Sequence, residues 1–257
     1  MKLCVLALWA FVVAAQPRFA ILGDRTGETV PGIYERIHAE VVKEKPAFIV
    51  SVGDMIQGGN DATAESEWQK VPPFKAIPIY LAPGNHDIWS DLSEKLFEKH
   101  AGHPPHYSFD YGRAHFTILD NSRTEQFSSA ELAFLEEDLK AHADQPLKFI
   151  VSHRPSWIVN VTFGSPDFEL HRIAKKYGVR YVIAGHIHKL AHAEVDGITY
   201  ISMPSAGGHL RDTGKYEDGW FFGYAMFENG EITFKPLDGP LTKLKDWGIA
   251  GLIPRSQ

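Results

Sequence analysis

Two short apolar runs, FAILGD at residues 19–24 and FIVSVGD at residues 48–54, each end in Gly-Asp. Such a run, stopping at a glycine, is typical of a buried β-strand. Between the two runs, Ile37 and Val41 recur at helical spacing, and Pro31 lies where a first helical turn tolerates proline. The segment therefore predicts a strand, a crossover helix and a second strand.

The rest of the chain continues this alternation and then changes to strands alone. Further strands are predicted at residues 78–81, 107–111, 114–119, 148–152, 181–184, 191–195, 198–202, 221–228 and 231–236, and helices near residues 91–100, 128–141 and 167–177. Asp196-Gly197 and Asn229-Gly230 are hairpin turn signals, and Ser128 with Glu131 is a capping-box signal. We expect an α/β fold, a four-layer sandwich of two mixed β-sheets flanked by helices.

The first fifteen residues are typical of a secretory signal peptide. Lys2 precedes an apolar run at residues 3–13, and the small residues Ala14 and Ala15 follow. The run is shorter than the roughly 18 to 20 apolar residues that span a bilayer. We therefore expect an exported protein, periplasmic or secreted, without stable membrane insertion after cleavage. The predicted organisation is a signal peptide at residues 1–15, one domain at 16–238 and a surface tail at 239–257.

The charge of the chain argues against nucleic acid as a partner. Removal of Lys2 with the signal peptide leaves 25 Lys and Arg residues against 32 Asp and Glu residues, a formal charge of −7. Nucleic-acid binding normally requires a basic balance or a basic stripe, and the sequence has neither. The single cysteine, Cys4, lies in the predicted signal peptide, so the mature chain would contain no thiolate.

Polar side chains follow several predicted strands at the point where each strand ends. They are Asp24, Asp54, Asn85 with His86 and Asp87, His153, and His186 with His188. Because the carboxyl ends of strands meet at one edge of an α/β sheet, we expect these side chains to lie close together. Carboxylate, amide and imidazole donors suit Mn²⁺, Zn²⁺ or Fe ions.

Taken alone, each of these motifs is weak evidence for a metal site. Gly-Asp is common, and Ser-His-Arg at residues 152–154 is more often a turn or a core histidine, by roughly five to one. Gly-Asn-His-Asp arises by chance in about one chain in a thousand of this length, and Gly-His-x-His in about one in a hundred. Their occurrence together, in order and after strands, indicates a metal centre.

This ordered set resembles the calcineurin-like metallophosphoesterase family, from residue 19 to about residue 188, with a β-rich remainder to residue 236. The resemblance implies a phosphatase or phosphodiesterase with two divalent metal ions (Mn, Zn or Fe) and a small phosphate ester as substrate. It places Asp24, Asp54 and His188 at the first ion, and Asp54, Asn85, His153 and His186 at the second. Asp54 would bridge the two ions.

The resemblance also implies a mechanism. Two ions roughly 3.5 to 4 Å apart neutralise the phosphate oxygens and supply a bridging hydroxide for in-line attack. His86 would contact the phosphate and protonate the leaving group, with Asp87 as the carboxylate that orients it. Arg25 and Arg154 flank ligand positions and are candidate phosphate clamps, with a solvated or ion-paired role as the alternative.

The sequence departs from the family pattern at the first ion. Many members have Asp-x-His at the first motif, and here Thr26 replaces the histidine. The purple acid phosphatase branch has a tyrosine ligand three residues after the bridging aspartate, and here that residue is Gln57. The first site is left with three ligands, completed by water, Gln57 or Thr26, so we expect it to lose its ion more readily than the second.

Two other functions remain as alternatives. One is a non-catalytic, metal-stabilised binding protein with a degenerate first site; His86 and Asp87 argue against it, because a scaffold does not need them. The other is a nuclease of the same superfamily, which the acidic charge disfavours. Among the other histidines we single out only His209, in a Gly-Gly-His loop. Trp157 and Phe163, just after His153, are either pocket residues or packing residues.

Overall fold

The computed structural model describes residues 17–73, 77–163, 166–211 and 214–247. The predicted signal peptide and the last ten residues lie outside this part of the chain. The strands are β1 Phe19–Leu22, β2 Phe48–Ser51, β3 Ile79–Leu81, β4 Tyr107–Tyr111, β5 Ala114–Ile118, β6 Leu147–Val151, β7 Tyr181–Ala184, β8 Ala191–Val195, β9 Ile198–Ser202, β10 Gly223–Glu228, β11 Glu231–Pro236 and β12 Thr242–Lys243. The helices are α1 Ile33–Glu44, α2 Asp61–Trp68, α3 Asp91–Ala101, α4 Ser129–Ala141, α5 Ile158–Thr162 and α6 Glu169–Lys176, with 3₁₀ turns at Tyr216–Asp218 and Leu244–Asp246.

The strands form two mixed six-stranded sheets. The order of sheet one is β12-β11-β10-β1-β2-β3, and that of sheet two is β4-β5-β6-β7-β9-β8. In sheet one β1, β2 and β3 are parallel, and β10 pairs antiparallel with β1. In sheet two β5, β6, β7 and β9 are parallel, with antiparallel strands at both edges. The strands that precede the predicted ligands are β1 and β2 within sheet one, β3 at its edge, and β6 and β7 within sheet two, all in the parallel part of each sheet.

Alternate side chains of β1 explain the layers. Phe19 and Ile21 pack into a core that both sheets share, and Ala20 and Leu22 pack on the opposite face against α1. A third core covers the outer face of sheet two with residues of α4, α5 and α6. Because both faces of each central strand are buried, these strands are continuous apolar runs. The four-layer sandwich expected from the sequence is confirmed.

The hairpin signals form as expected. Asp196 and Gly197 have φ of 52° and 80°, and Asn229 and Gly230 have φ of 53° and 81°. Two successive residues with positive φ are the geometry of a type I′ turn, which joins β8 to β9 and β10 to β11.

The cap of α4 forms only in part. The Ser128 side chain accepts a hydrogen bond from the backbone N of Glu131 at 3.1 Å. The Glu131 carboxylate does not complete a capping box; it contacts His106 at 2.6 Å and accepts from the backbone N of Asp120 at 3.1 Å.

Two expectations need correction. The expected tail at residues 239–257 is not all surface, because β12 pairs with β11 and Trp247 is 7% exposed in the shared core. The region from Gln57 to Lys70, for which the sequence predicts neither a helix nor a strand, contains α2, whose N-cap Asn60 accepts from the backbone N of Ala62 at 3.0 Å. Among the described residues, no helix has the length and apolar character needed to cross a membrane.

Candidate metal centre

Three of the predicted ligands surround one atom of a fourth, Nε2 of His153. His153 Nε2 lies 3.0 Å from Asn85 Oδ1, 3.2 Å from His186 Nδ1 and 3.3 Å from Asp54 Oδ2. Two donors that each bind one ion at about 2.1 Å lie roughly 3.0 to 3.4 Å apart, so these separations fit a shared ion. These are the four residues predicted for the second ion.

The other two predicted ligands lie together beside this group. His188 Nε2 is 3.3 Å from Asp24 Oδ2. Ligand atoms of Asp24, Asp54 and His188 all lie within 4.8 Å of one another, and so do those of Asp54, His153 and His186. Asp54 belongs to both groups, which places a single carboxylate between two adjoining sites.

The backbone at these ligands is unusual. Asp54, His186 and His188 have φ of 55°, 70° and 55°, in the left-handed region that residues other than glycine rarely adopt. Strained backbone of this kind persists where surrounding contacts hold it, and it concentrates at functional sites. This backbone conformation directs the side chains of Asp54, after β2, and of His186 and His188, after β7, toward the same space.

Two glycines allow the ligand loops to approach one another. A Cβ on Gly84 would lie 2.1 Å from Asp54 Oδ1 and 2.3 Å from the Asp54 backbone N. A Cβ on Gly185 would lie 2.3 Å from Asp24 Oδ1. Any larger residue would push a carboxylate away, which explains the glycines that precede Asn85 and His186 in the sequence.

Backbone groups fix the two carboxylates and two of the imidazoles. Asp24 accepts from the backbone N of His186 at 2.9 and 3.1 Å, and Asp54 accepts from the backbone N of His86 at 2.9 Å. His153 Nδ1 donates to the carbonyl of Val52 at 2.9 Å, and His188 Nδ1 donates to that of His209 at 2.6 Å. Their Nε2 atoms are therefore the nitrogens that face the carboxylates, the usual arrangement in metal sites.

The charges of the site act on one another. Burial alone would raise the pKa of Asp54, but His153 and then His86 outweigh it and lower that pKa. Burial would lower the pKa of His153, but the carboxylates of Asp54 and Asp24 raise it. Burial, His153 and Arg154 lower the pKa of His186 to about 4. A cation would replace the proton of His153 between these carboxylates.

His86 reaches the site, but Asp87 does not orient it. His86 Nδ1 contacts the carbonyl of Gln57. The fully buried Asp87 accepts instead from the backbone N of Met55 at 2.7 Å, of Ile56 at 3.2 Å and of Gly84 at 2.9 Å.

Asp87 thus ties together the loops that carry Asp54 and Asn85. Its predicted contact with His86 is wrong, and the physical reason is that three buried amide donors surround its carboxylate. Burial, followed by the charge of Asp54, raises the pKa of Asp87 to about 7.

The two arginines differ in their surroundings. Arg25 donates from Nη1 to the carbonyl of Met55 at 2.6 Å and lies over the ring of Tyr34 at 5.1 Å. Arg154 lies 3.2 Å from His186 Nε2 and pairs with the exposed Glu125. Arg154 therefore borders the ligand group directly, whereas Arg25 connects the loops after β1 and β2.

Neither side chain considered as an extra ligand of the first ion is directed at an ion site. The Thr26 hydroxyl donates to the carbonyls of Asp54, at 2.8 Å, and Ile56. Gln57 Oε1 accepts from the backbone N of Glu28 at 3.0 Å. Both residues fasten the loops together, so the first group keeps three protein ligands among the described residues.

One residue beside the centre was missed by the sequence reasoning. Asn121 follows β5 and hydrogen-bonds the backbone of His153 and Arg154. Its signal was available, because β5, like β6 and β7, is a predicted strand with polar residues at its end.

Trp157 and Phe163 differ in their solvent exposure. Trp157 is 1% exposed in the core of sheet two, as the packing alternative expected, and Phe163 is 70% exposed. His209 contributes its backbone carbonyl to His188, as described above.

Comparisons with known proteins agree with this geometry. The model of the calcineurin-like phosphoesterase family matches residues 17–190, a segment that contains all six ligands. The chain is 25% identical over 202 residues to the 3′,5′-cyclic adenosine monophosphate phosphodiesterase CpdA of Escherichia coli, covering 74% of this chain and 71% of that protein. It is 23% identical over 241 residues to the serine/threonine-protein phosphatase CPPED1 of Danio rerio, covering 79% and 77%.

Among solved structures, the purple acid phosphatase PPD1 of yellow lupin (Lupinus luteus) has the same fold. The TM-score is 0.64 at 16% identity, covering 90% of this chain. The match covers 54% of the lupin chain, so this protein spans about half the length of that enzyme. At this identity the likeness concerns the fold alone.

Proposed function

The chain belongs to the calcineurin-like phosphoesterase family and is a metal-dependent phosphoric ester hydrolase, and from this we propose that it is an exported enzyme acting on small phosphate mono- or diesters. We propose two divalent ions, Mn, Zn or Fe, at the two adjoining ligand groups. The 3′,5′-cyclic nucleotides are the first substrate class to test, because relatives bear that activity in their names.

The observation that carries the proposal is the sharing of Asp54 by two groups of converging donors. One group follows β1, β2 and β7, and the other follows β2, β3, β6 and β7. Donors from both sheets thus meet at one edge of the sandwich. Two divalent ions at such a site would neutralise phosphate oxygens and activate water for in-line attack.

The protein's own groups supply the remaining functions. The contact of His86 Nδ1 with the carbonyl of Gln57 leaves Nε2 as the nitrogen that protonates the departing alkoxide. Arg154, beside His186, offers guanidinium donors to a phosphate oxygen. Asp87 keeps the loops of Asp54 and Asn85 at a fixed separation through its three amide contacts.

The test uses purified protein stripped of metal and reconstituted with Mn²⁺, Zn²⁺ or Fe²⁺. Substrates are cyclic AMP, bis(p-nitrophenyl) phosphate and p-nitrophenyl phosphate. We expect turnover that requires added metal. His86→Ala should lower kcat by about 10²–10⁴-fold for cyclic AMP, whose alkoxide needs a proton, and by much less for the nitrophenyl esters.

His106→Ala is the matched control, because His106 pairs with Glu131 outside the metal centre. Binding of two ions without turnover of any ester would refute the enzyme and favour the metal-stabilised binding protein.

Export is tested separately. It is supported by Lys2, the apolar run at residues 3–13 and the small residues Ala14 and Ala15. Expressed in its own host, the protein should be recovered from the periplasm or medium with an N-terminus near residue 16. Retention of Met1 on protein found in the cytosol would contradict the proposal.

A further inference from the structure

Asn121 directs nearly all its hydrogen-bonding capacity to one loop of the metal centre. The residue is 1% exposed. Its Oδ1 accepts from the backbone N of His153 at 3.2 Å and of Arg154 at 3.0 Å, and its Nδ2 donates to the carbonyl of Arg154 at 2.8 Å. All three contacts fall on the loop that follows β6.

Sheet pairing explains how residues more than thirty positions apart meet. β5 and β6 are parallel, with Ile118 opposite Val151, so the loops after these strands leave the same edge side by side. Asn121 lies three residues after Ile118, and His153 lies two residues after Val151. Beyond the last backbone pairing of β5 with β6, the side-chain amide of Asn121 supplies the hydrogen bonds that link the two segments.

The turn that presents Asn121 is itself fixed. Asp120 Oδ1 accepts from the backbone N of Ser122 at 2.9 Å and from its hydroxyl at 2.6 Å. The backbone N of Asp120 donates to Glu131 of α4 at 3.1 Å. The turn that carries Asn121 is therefore connected to α4 as well as to β5. Asn121 in turn links the His153 loop to both elements.

His153 is consequently held at two points. Asn121 holds its backbone N, and the Val52 carbonyl of sheet one holds its ring through Nδ1. These two contacts set where Nε2 lies relative to Asn85, His186 and Asp54.

We propose that Asn121 is a positioning residue of the metal centre, which fixes His153 for the second ion and Arg154 for the substrate. The inference rests on the proposed function, since it assumes that an ion occupies the second group. Residues that orient a metal ligand typically change metal affinity by about 10–100-fold when they are replaced.

The experiment measures metal binding rather than activity. Metal-free full-length protein is titrated with Mn²⁺ by calorimetry and with Co²⁺ by visible absorption. Asn121→Ala should bind one of its two ions about 10–100-fold more weakly and shift the Co²⁺ bands of that site. Asn121→Asp keeps the acceptor for both amides but sets a carboxylate oxygen against the Arg154 carbonyl in place of the Nδ2 donor, so it should restore the affinity only in part.

Thr117→Val is the matched control. Thr117 lies on β5, is equally buried and also loses a side-chain hydrogen bond, but that bond goes to Asp138 of α4 rather than to the His153 loop. This variant should bind both ions as the wild type does, although its melting temperature falls.

The outcomes separate the two proposals. Unchanged affinities and Co²⁺ bands in Asn121→Ala, or an equal loss in Thr117→Val, would overturn the role of Asn121. If Asn121→Ala does not fold, Asn121→Asp decides instead: because this variant loses the contact with the Arg154 carbonyl, unchanged affinities and Co²⁺ bands in it would overturn the role. Two ions in the wild type without ester hydrolysis would refute the enzyme and leave the role of Asn121 standing.

Discussion

Two clusters of aspartate and histidine in the described part of this chain differ in how their nitrogens are oriented. The first is the metal centre, formed by Asp24, Asp54, Asn85, His153, His186 and His188. The second, which we call the hairpin cluster, joins the β4-β5 hairpin to α4 and consists of Asp110, His115, Asp138 and His142. Three of its members also bring possible ligand atoms within 4.8 Å of one another.

Ring geometry separates the clusters. In the metal centre, the rings of His153 and His186 lie at 78° with nitrogens facing a shared space. In the hairpin cluster, His115 and His142 stack at 4.0 Å and 17°. An imidazole donates its lone pair in the plane of its ring, so two rings stacked face to face at 4.0 Å do not direct their lone pairs at one ion between them.

The nitrogens of His115 are also already engaged. Nδ1 lies 2.7 Å from Asp110 and Nε2 lies 2.8 Å from Asp138, both within hydrogen-bond distance. The two carboxylates raise the pKa of His115 against the effect of burial and so favour its protonated form. We therefore assign the hairpin cluster to stability. Proximity of metal-binding side chains is therefore insufficient, because the direction of each lone pair decides the role.

The largest expected effect comes from removing the shared carboxylate. Asp54→Ala should abolish tight binding of both ions and lower kcat by about 10³-fold or more, since two-metal stabilisation supplies several kcal/mol. Asp110→Ala, the same change in the hairpin cluster, should leave metal content and kcat unchanged. Metal analysis and steady-state kinetics on both variants check this, and loss of an ion from Asp110→Ala would break the comparison.

A methyl group beside the carboxylate should have the next largest effect. Gly84→Ala places a Cβ against Asp54, and such overpacking destabilises by about 1–3 kcal/mol. The change should lower both the chemical denaturation midpoint and the metal content. Gly102→Ala is the opposite case: Gly102 has φ of 80° and a Cβ there meets nothing within 4 Å, so this variant should lose stability through its backbone but keep its metal content. Full metal content in Gly84→Ala would contradict the close approach described above.

The two ions themselves should separate under a weak chelator. The first group has three protein ligands and the second has four, so we expect about tenfold weaker binding at the first, equivalent to about 1.4 kcal/mol. Metal analysis during dialysis should show loss of one ion before the other, and His188→Ala should retain the more slowly lost ion. Simultaneous loss of both ions would refute the asymmetry.

The smallest effect concerns pH and the hairpin cluster. Burial would lower the pKa of His115, but hydrogen bonds and charges of Asp138 and Asp110 raise it. A raised histidine pKa stabilises the folded state fully below the ordinary value of about 6.5 and loses this contribution as pH rises through the folded value. His115→Gln should therefore reduce stability by about 1–2 kcal/mol near pH 6 and by less near pH 9. Urea unfolding at both pH values checks this, and an equal loss at each would argue against a charged His115.

Much of the fold was predictable because its signals are local. The runs at residues 19–24 and 48–54 begin where β1 and β2 begin and contain both strands, and the Asp-Gly and Asn-Gly turns form their hairpins. Trp247 was missed because a single aromatic residue after a Gly-Pro segment has no periodicity, and only pairing of β12 with β11 buries it.

The candidate site was predictable in its members but less so in their contacts. The strand-end motifs identified all six residues that come together. Asp87 was assigned to the wrong partner, since the sequence does not show the backbone amides of Met55 and Gly84 that surround it. Asn121 was overlooked because its only signal is its place after the predicted strand at residues 114–119, and no family motif includes it.

The sequence by itself determined which donors exist, in what order they occur, and that each follows a strand. Those properties depend on hydrophobic periodicity and glycine placement, which act over a few residues. Only the tertiary structure decided that Asp54 is shared, that Asp87 holds loops, and that His115 is paired rather than free to bind an ion. These roles depend on the direction of lone pairs, and that direction is set by contacts between residues far apart in the chain, brought together when the two sheets pack.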